Sequence, residues 1–261
     1  MTNAYEIINW WNHKVKPLRD RQNAEVIYMA QSMRVSCYTQ QGLRMEPCPP
    51  GLIYAEYSPH AGIRDLHACI HAFRKQIHQE VTALVQRGYM GVPMVEMDTA
   101  QRSLGDPRWR PIWVKFLHTW AGTAQYLPTL RHILQLLGRD VLLLHVSVFG
   151  PGTQLPEHRG ISMGVVRYHY ALDIPEGDTG MVIGGKRFKW AKHRGYAFDD
   201  TYPHAAWNHT NSPRWVIFAD LPRELDFPYN IINSAMHHII EYTSHVKAIA
   251  ARLEKEGLSS K

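Results

Sequence analysis

The sequence predicts an α+β fold in which a small β-barrel or β-sandwich is flanked by helices towards both ends of the chain. Between Asp140 and Leu221, short apolar segments with a period of two alternate with turn residues, a pattern typical of sandwiches and small barrels. Upstream, apolar residues recur at steps of three and four from about Gly62 to Arg87, and a similar stripe runs downstream from about Asn230 to Glu256. Each stripe predicts an amphipathic helix.

The composition fits a globular protein. The chain has 261 residues, of which 45% are apolar, enough to bury a core. No apolar run reaches transmembrane length, so no integral membrane segment is expected, and the first residues lack the basic start and apolar block of a signal peptide. The three cysteines, Cys37, Cys48 and Cys69, are an odd number without metal-ligand spacing. They indicate free thiols in a reducing compartment, and hence a cytoplasmic protein.

The formal net charge of +6 raises the question of an acidic partner. The basic residues are spread along the chain without a long run of like charges, whereas nucleic-acid binding requires a clustered basic face. No nucleic-acid partner is therefore expected, and the positive charge suits an enzyme that recruits an anionic substrate.

The N-terminal part of the sequence is mixed. Helices are predicted over the segment NAYEIINWW and over Asn23–Met33, whereas the Gly- and Pro-rich stretch Gln40–Pro59 indicates a loop with one short strand at Leu52–Tyr57. The predicted helix from residue 62 to residue 87 carries three histidines but no H-E-x-x-H pattern. We expect them to be solvated or hydrogen-bonded helix residues: His67, His71 and His78.

The rest of the chain predicts mostly strands. Alternating bulky and polar residues over Arg108–Gly122 predict a strand, Pro128 opens a helix that Gly138 ends, and Gly184-Gly185 marks a hairpin among the barrel strands. The C-terminal stripe predicts one long helix that packs on the barrel or pairs with a second copy in a dimer. Three regions result: a helical and mixed N-terminal region over 1–105, a β core over 106–228 and the C-terminal helix over 229–261.

Two histidines in the β region are candidate metal ligands: His158 in PEHRG and His204 in YPHAAWN. Neutral imidazole is a good ligand for Fe(II), and non-haem oxygenases typically use two histidines and a carboxylate. The carboxylate usually follows the first histidine by two positions, but here that position is Gly160. Either the site is not an iron site, or water takes the third position, or Asp199 or Asp200 swings in. Taken alone, the pair would more often be two structural histidines.

Basic residues near these histidines favour a ligand site. Arg167 and His169 are two positions apart on a predicted strand and so share a face, and Arg214 starts the next strand after His204. Arginine suits a bidentate grip on a carboxylate, and a cation inside an apolar barrel is costly unless an anion pairs with it. The alternative is that these residues are charges on the barrel exterior.

The ordered motifs from Ser147 to Arg214 resemble the aspartyl/asparaginyl β-hydroxylase family. They are SxxxPGTxxPxHRG, RYH and FDDTxxHxAWN, followed by a trailing arginine. The resemblance covers roughly residues 110–222 and leaves the first hundred residues and the C-terminal helix unmatched. It implies a double-stranded β-helix of the jelly-roll or cupin-like kind that uses Fe(2+), 2-oxoglutarate and O2.

For the metal, the resemblance implies that His158 and His204 are the protein ligands. The family lacks a third protein ligand, in agreement with Gly160, and water would take that place. Asp199 and Asp200 match the FDDT signature. We expect them to orient a ligand or fix a loop instead of binding the metal.

For the co-substrate, the resemblance implies that Ser147 and Arg214 bind the distal carboxylate of 2-oxoglutarate. Arg167 and His169 would contact its iron-proximal end. No catalytic side chain beyond the metal centre is implied.

The implied activity is a hydroxylase that inserts one oxygen atom of O2 into an unactivated C–H bond and releases succinate and CO2. The favoured substrate is an Asp- or Asn-type residue of a peptide or protein, or a related amino acid, hydroxylated at Cβ. A small-molecule or lipid acyl-chain hydroxylase of the same family is one alternative. A non-catalytic barrel that only binds a ligand, and a zinc or manganese cupin-type enzyme, are the others.

Overall fold

The structure is a computed structural model that describes residues 4–32, 36–38, 45–47, 52–98, 106–138 and 141–256, with backbone alone between residues 30 and 47. Residues 40–44 and 48–51 of the predicted loop over Gln40–Pro59, including Cys48, lie outside the described residues, as do residues 257–261. The helices are α1 (Ala4–Ser32), α2 (Ala61–Ala72), α3 (Arg74–Gln86), α4 (Met94–Met97), α5 (Pro128–Leu136), α6 (Tyr229–Glu241) and α7 (Ser244–Lys255).

The strands, in chain order, are β1 (Ser36–Tyr38), β2 (Met45–Pro47), β3 (Ile53–Tyr54), β4 (Trp109–Phe116), β5 (Thr119–Trp120), β6 (Leu143–Phe149), β7 (Thr153–His158), β8 (Val165–Asp173), β9 (Thr179–Ile183), β10 (Lys186–Phe188), β11 (Gly195–Phe198), β12 (His204–Asn208) and β13 (Arg214–Pro222). A seven-stranded sheet has the order β3-β11-β8-β13-β6-β4-β5, and a four-stranded sheet has the order β10-β9-β12-β7. Side chains of both sheets line one cavity between them. The two sheets therefore form a jelly-roll core, which confirms the predicted double-stranded β-helix.

The outer face of the seven-stranded sheet is covered by α2, α3 and α5. Along β6, Val146 and Val148 belong to this helix-covered apolar layer, whereas His145 and Ser147 line the cavity, because successive residues of a strand face opposite ways. Each fully buried aliphatic side chain in such a layer contributes about 1.5–3 kcal/mol. The layer holds the sheet in place, so its inner face can carry polar groups.

The first helix and the last two helices contribute to one wall of the cavity. Helix α1 lies along α6, where Trp11 Nε1 donates a hydrogen bond of 2.9 Å to Asn233 Oδ1. Trp11, Val15 and Met236 form a small buried cluster beside this bond. The predicted boundaries between the three regions of the chain stay a prediction.

The observed helices differ from the predicted ones in where they are continuous and where they break. The two helices predicted near the start form the single helix α1, with Pro17 inside it. The helix predicted over 62–87 breaks at Phe73 (φ −95°, ψ 12°), and the C-terminal helix breaks at Thr243, which is extended (φ −70°, ψ 146°). Thr243 Oγ1 donates to Ile240 O at the break. The apolar stripes continue across both breaks, so periodicity does not reveal them.

Strands β7 and β12 are absent from the predicted strands, although they carry the two candidate ligands. The strand β7 contains Pro156 and lies at the edge of its sheet, where proline is tolerated because no ladder bond is lost. Within the described part of the chain, none of the helices has the length and apolarity that crossing a bilayer requires.

Candidate functional site

His158 and His204 face each other across neighbouring strands. They are register partners on β7 and β12, with ring centroids 4.1 Å apart and ring planes at 53°. The next pair in the register is Leu155 with Ala206, so β7 uses three steps where β12 uses two. Such a β-bulge bends the strand and re-aims its side chains. It lies next to Pro156 and brings the two imidazoles together.

Both imidazoles leave the same nitrogen available. Nδ1 of His158 lies 2.8 Å from Pro156 O, and Nδ1 of His204 lies 2.9 Å from Tyr202 O. A carbonyl oxygen only accepts, so each Nδ1 carries the proton and each Nε2 keeps its lone pair. Fixing one nitrogen through a backbone carbonyl is a common way to orient a metal-binding histidine.

The surroundings keep both rings neutral. Burial lowers the pKa of His158. Burial, with the nearby His158 and Arg167, lowers the pKa of His204 to about 3. Neutral imidazole is the form that binds a metal ion, so this pair can accept one at neutral pH.

Gly160 is packed directly against Asp200. Gly160 N donates to Asp200 O at 2.8 Å, and a Cβ atom at position 160 would lie 1.9 Å from Asp200 Oδ2. No side chain fits there without moving Asp200. The carboxyl group closest to position 160 therefore belongs to Asp200, which also lines the cavity.

Arg167 is held by two carboxylates. Its Nε and Nη2 donate to the two oxygens of Asp220 at 2.8 and 2.9 Å, and its Nη1 lies 2.6 Å from Asp200 Oδ2. Burial alone would lower the pKa of Arg167, but the two carboxylates outweigh burial and raise it. Burial raises the pKa of Asp200 despite Arg167, and the nearby charge of Asp220 adds to the rise. At the inner face of the large sheet, the charge of Arg167 is thus paired with those of Asp200 and Asp220.

Asp199 faces a different environment from its neighbour Asp200. Its Oδ2 accepts hydrogen bonds from Arg223 Nη2 at 2.9 Å and from Asn23 Nδ2 at 2.7 Å, and its Oδ1 accepts from Thr201 N and Oγ1 at 2.9 and 2.6 Å. These contacts tie the loop before β12 to α1 and to the end of β13. Asp199 therefore fixes the loop that carries His204.

Arg214 is a buried cation with free donors. Its side chain is 2% exposed, and its Nε and Nη1 have no hydrogen-bond partner among the described residues. The guanidinium lies over the ring of Phe149, with Cζ 3.7 Å from the centroid, and 4.3 Å from that of Trp190. Burial lowers the pKa of Arg214 to about 9. A buried cation with unsatisfied donors is costly unless an anion joins it.

Two further groups line the cavity near this cation. Ser147 is buried, and its Oγ accepts a hydrogen bond of 3.1 Å from Trp109 Nε1. His169 is 8% exposed, and neither of its ring nitrogens has a partner among the described residues. Burial, with Arg167 and Arg214 nearby, holds the pKa of His169 well below its ordinary value. Neutral His169 can therefore donate one hydrogen bond to a ligand and accept one.

A metal ion and a dicarboxylate both fit the residues that line this cavity. Two neutral imidazoles suit Fe(II), and the unpaired donors of Arg214 suit a carboxylate. The six predicted site residues all line the cavity of about 450 Å³: Ser147, His158, Arg167, His169, His204 and Arg214. Buried donors without a partner in the protein, such as those of Arg214, are typical of a site that binds a polar ligand.

The other half of the cavity is apolar. Its wall is built by α1, α4, α6, α7 and the end of β4. The side chains include Ile8, Met97, Phe116, Met236, Ile240 and Ile249. The described lining residues include no lysine, and the third arginine among them, Arg159, donates to Thr201 O at 3.0 Å. A substrate that enters this half meets mostly hydrocarbon, although Asp98 and His245 also line it, with His245 Nε2 3.3 Å from Asp98 Oδ1.

Sequence reasoning missed several of these partners. Asp220 lies six positions after Arg214 on the same strand, and an even spacing places both on one face, so this signal was present in the sequence. Trp109 as the partner of Ser147, and the apolar wall from both ends of the chain, left no comparable signal.

The histidines of α2 and α3 are satisfied on the other side of the large sheet, as expected. Nδ1 of His67 and Nδ1 of His71 lie 3.2 Å from the hydroxyls of Tyr168 and Tyr170. His78 Nε2 lies 3.3 Å from an oxygen of Asp173. They belong to the packing of the helices on the sheet.

A family model described as Aspartyl/Asparaginyl beta-hydroxylase matches residues 72–224. The match starts well upstream of the region that the motifs predict, so it also includes α3 and α4. The expectation that the first hundred residues have no family match is therefore wrong for the part from residue 72 onwards.

Two curated relatives match shorter parts of the chain. The ornithine lipid ester-linked acyl 2-hydroxylase of Rhizobium tropici is 37% identical over 103 residues, which are 39% of this chain and 37% of that protein. The aspartate beta-hydroxylase domain-containing protein 2 of Homo sapiens is 38% identical over 79 residues, which are 29% of this chain and 21% of that protein. The chain thus spans well under half the length of either relative.

Two solved structures are more distant. A prolyl hydroxylase from Trichoplax adhaerens, in complex with a hypoxia inducible factor oxygen degradation domain peptide fragment, has a TM-score of 0.44 and 13% identity, and the alignment covers 85% of this chain and 96% of that chain. A 2OG-Fe(II) oxygenase family protein from Burkholderia pseudomallei has a TM-score of 0.35 and 14% identity over 44% of this chain and 68% of that chain.

Proposed function

The chain belongs to the aspartyl/asparaginyl β-hydroxylase family, and we propose that it is an Fe(II)- and 2-oxoglutarate-dependent hydroxylase. The observation that carries the proposal is the buried, unpaired guanidinium of Arg214 in the same cavity as two neutral imidazoles. A buried cation in that position is costly without an anion, and two neutral imidazoles with free Nε2 atoms suit a metal ion. The two requirements together describe a metal site with an acidic co-substrate.

His158 and His204 would hold the iron through Nε2. Their Nδ1–H groups donate to the carbonyls of Pro156 and Tyr202, which fixes the direction of each ring. Asp200 would hydrogen-bond to a water in the third ligand position, since its Oδ1 is buried and has no partner among the described residues. Of the alternatives left by Gly160, we therefore propose water as the third ligand, with Asp200 beside it.

Arg214 and Ser147 would bind the distal carboxylate of 2-oxoglutarate. Arg167 and His169 would contact the iron-proximal end, and the pairing of Arg167 with Asp220 and Asp200 holds its guanidinium in place for that contact. A bound iron would supply the redox chemistry by which one oxygen atom of O2 goes to the substrate and the other to succinate, as 2-oxoglutarate loses CO2. The chain's own part is positioning and the exclusion of water.

Succinate release by the purified protein tests this activity. We expect release that requires both added Fe(II) and 2-oxoglutarate, and an absorption band that appears when 2-oxoglutarate is added to the anaerobic Fe(II) protein. A protein that binds both but never releases succinate would instead be a non-catalytic barrel. Turnover with zinc or manganese and without 2-oxoglutarate would support a cupin-type enzyme.

The apolar half of the cavity favours an acyl chain over an acidic side chain as substrate. If Arg214 binds the co-substrate, Arg167 is already paired with Asp220, and the exposed Arg159 gives one donor to the carbonyl of Thr201. Among the described residues, no lysine lines the cavity to pair with a substrate carboxylate. The relative from Rhizobium tropici is named as an acyl hydroxylase. Hydroxylation of an Asp- or Asn-type residue at Cβ is the second candidate.

Mass spectrometry separates these substrate classes. The purified protein is incubated with lipid, peptide and amino-acid pools, and each pool is searched for products heavier by one oxygen atom. An acyl-chain substrate predicts such products in the lipid pool alone. A product in the peptide or amino-acid pool would favour the Asp- or Asn-type substrate.

A dimer through the C-terminal helices is also a proposal. Helix α6 exposes Ile231 and Ile239, which are 59% and 50% exposed, and Tyr242 follows at 74%. These side chains are the ones that a second copy would cover. Light scattering at several protein concentrations measures the oligomeric state directly.

A further inference from the structure

A second group of ligand-type side chains lies on the outside of the cavity wall. His118 is in the two-residue turn between β4 and β5, and His238 and Glu241 are three positions apart on α6. Residues three apart on a helix are neighbours on its surface. The fold therefore brings one imidazole from a hairpin to an imidazole and a carboxylate on a helix. We call these three residues the outer triad.

The distances within the outer triad are short. His118 Nε2 lies 2.9 Å from Glu241 Oε1, and His238 Nδ1 lies 3.9 Å from Glu241 Oε2. The two imidazole rings are stacked, with centroids 5.0 Å apart and planes at 24°. One ligand atom from each residue lies within 4.8 Å of the other two. Three groups that can each donate a lone pair thus surround one point.

We propose that the outer triad binds one zinc ion or a similar divalent transition-metal ion. Imidazole nitrogen and carboxylate oxygen are normal zinc ligands, at about 2.0–2.2 Å from the metal in tetrahedral geometry. Ligand atoms in such a site are roughly 3.4 Å apart, so the three side chains need only small rotations. Water completes the tetrahedron.

A hydrogen bond alone does not explain the whole arrangement. The bond between His118 and Glu241 accounts for two members, but His238 Nδ1 is too far from Glu241 for a normal hydrogen bond. His238 is 49% exposed and could turn into solvent, yet its ring stacks on His118. A cation bound by all three groups would account for their convergence. The mixed imidazole and carboxylate set favours zinc over magnesium, which prefers oxygen ligands.

The position of the outer triad gives metal binding a consequence. Leu117, next to His118, lines the cavity, as do His237 and Ile240 on α6. A metal ion at the triad would connect the β4–β5 turn to α6 and so hold two parts of the apolar wall together. Binding there stabilises the folded chain by mass action.

Zinc binding is tested in a variant without the cavity ligands. The His158→Ala/His204→Ala protein, with the full chain, is titrated with zinc chloride by calorimetry. We expect one zinc ion per chain, a rise of several degrees in the unfolding temperature, and no binding of magnesium chloride. Adding His118→Ala or Glu241→Gln to this protein is expected to weaken zinc binding at least tenfold. His132→Ala, at an exposed histidine of α5, is the matched control and should leave binding unchanged.

Two results would overturn the proposal. One is a double variant that binds no zinc at micromolar concentration, and the other is binding that survives His118→Ala and Glu241→Gln. If the double variant does not fold, zinc is counted on the otherwise unaltered chain instead. His118→Ala should then remove one zinc ion per chain while His132→Ala removes none, and an unchanged count would refute the outer triad. Succinate release plays no part in this experiment, so the proposed activity is tested separately.

Discussion

Asp200 occupies the space that a side chain at position 160 would need. A Cβ atom on Gly160 would lie 1.9 Å from Asp200 Oδ2 and 2.1 Å from Asp200 Cγ. Asp200 cannot easily retreat, because Arg167 holds the same oxygen at 2.6 Å. The buried carboxylate at position 200 therefore excludes a ligand side chain at position 160.

Gly160→Ala should destabilise the protein, because the added methyl group collides with a fixed carboxylate. We expect a loss of about 1–3 kcal/mol in the free energy of unfolding, as for an overpacked site. Urea unfolding of the metal-free protein measures it. In Gly160→Ala/Asp200→Ala the collision is removed, so the double variant should lose less than the sum of the two single variants. Strict additivity would show that the two residues do not compete for space.

Arg214→Met should weaken 2-oxoglutarate binding and stabilise the protein that has no co-substrate. Hydrogen bonds to charged groups contribute about 1.5–3 kcal/mol each, so KM for 2-oxoglutarate should rise at least about tenfold. The variant also removes a buried cation without a partner, which is costly in the free protein. Thermal unfolding with and without 2-oxoglutarate measures both effects. Arg131→Met, at an exposed arginine of α5, should keep the shift caused by 2-oxoglutarate, and a retained shift in Arg214→Met would contradict the assignment.

His158→Ala and His204→Ala should each reduce succinate release to the level of the metal-free protein. Both should also lose the anaerobic absorption band with Fe(II) and 2-oxoglutarate. The exposed His209 directly follows β12, the strand of His204. His209→Ala is therefore the control that should keep both signals. A variant of either ligand with normal activity would exclude the paired imidazoles as the metal site.

Asp199 should make the fold sensitive to acid. Burial raises its pKa, but Arg223 and the hydrogen bonds from Asn23 and Thr201 outweigh burial, so the pKa lies below the ordinary value of 3.8. A carboxyl group whose pKa is lower in the folded state stabilises the fold above its unfolded pKa, and this contribution is lost as the pH falls through the folded pKa. Asp199→Asn should therefore cost about 3 kcal/mol at neutral pH and much less in acid.

Urea unfolding of both proteins from neutral pH down to about pH 2 measures this difference. The two free energies of unfolding should converge below the ordinary pKa of the aspartate. A constant difference over the whole range would mean that the charge of Asp199 is unimportant and that only its shape matters.

Ile240→Trp should restrict the apolar half of the cavity. Ile240 lines the cavity from α6, whereas the adjacent Ile239 is 50% exposed and does not line it. The larger side chain should shorten the longest acyl chain that is hydroxylated, while KM for 2-oxoglutarate stays the same. Ile239→Trp is the matched control and should leave the chain-length preference unchanged. Equal effects of both substitutions would argue against an acyl chain in this part of the cavity.

The fold of the barrel could be predicted because its strongest strands alternate between an apolar face under the helices and a face that carries polar groups into the cavity, which gives a period of two. The two strands with the metal ligands escaped prediction for a physical reason. In β7 a proline and a bulge interrupt the alternation, and β12 (HAAWN) has no β-branched residue to mark it as a strand. The histidines themselves were found through their motifs and not through the strands that carry them.

The apolar wall could not be predicted because it depends on contacts between the two ends of the chain. The sequence shows that α1 and α6 are helices, but nothing in it pairs Trp11 with Asn233. The breaks at Phe73 and Thr243 are equally hidden, since the apolar stripe continues through each. Asp220, in contrast, could have been predicted, because its even spacing from Arg214 on one strand places both side chains on the same face.

The place of β7 at the rim of its sheet makes the two imidazole positions mechanically unequal. The strand β12 is bonded on both sides, to β7 and β9, whereas β7 has β12 as its single neighbour in that sheet. Local opening begins where backbone bonds are fewest, so amides around His158 should exchange with deuterium sooner than those around His204. A bound ion would then dissociate first from His158 on the edge strand and last from His204 on the central strand.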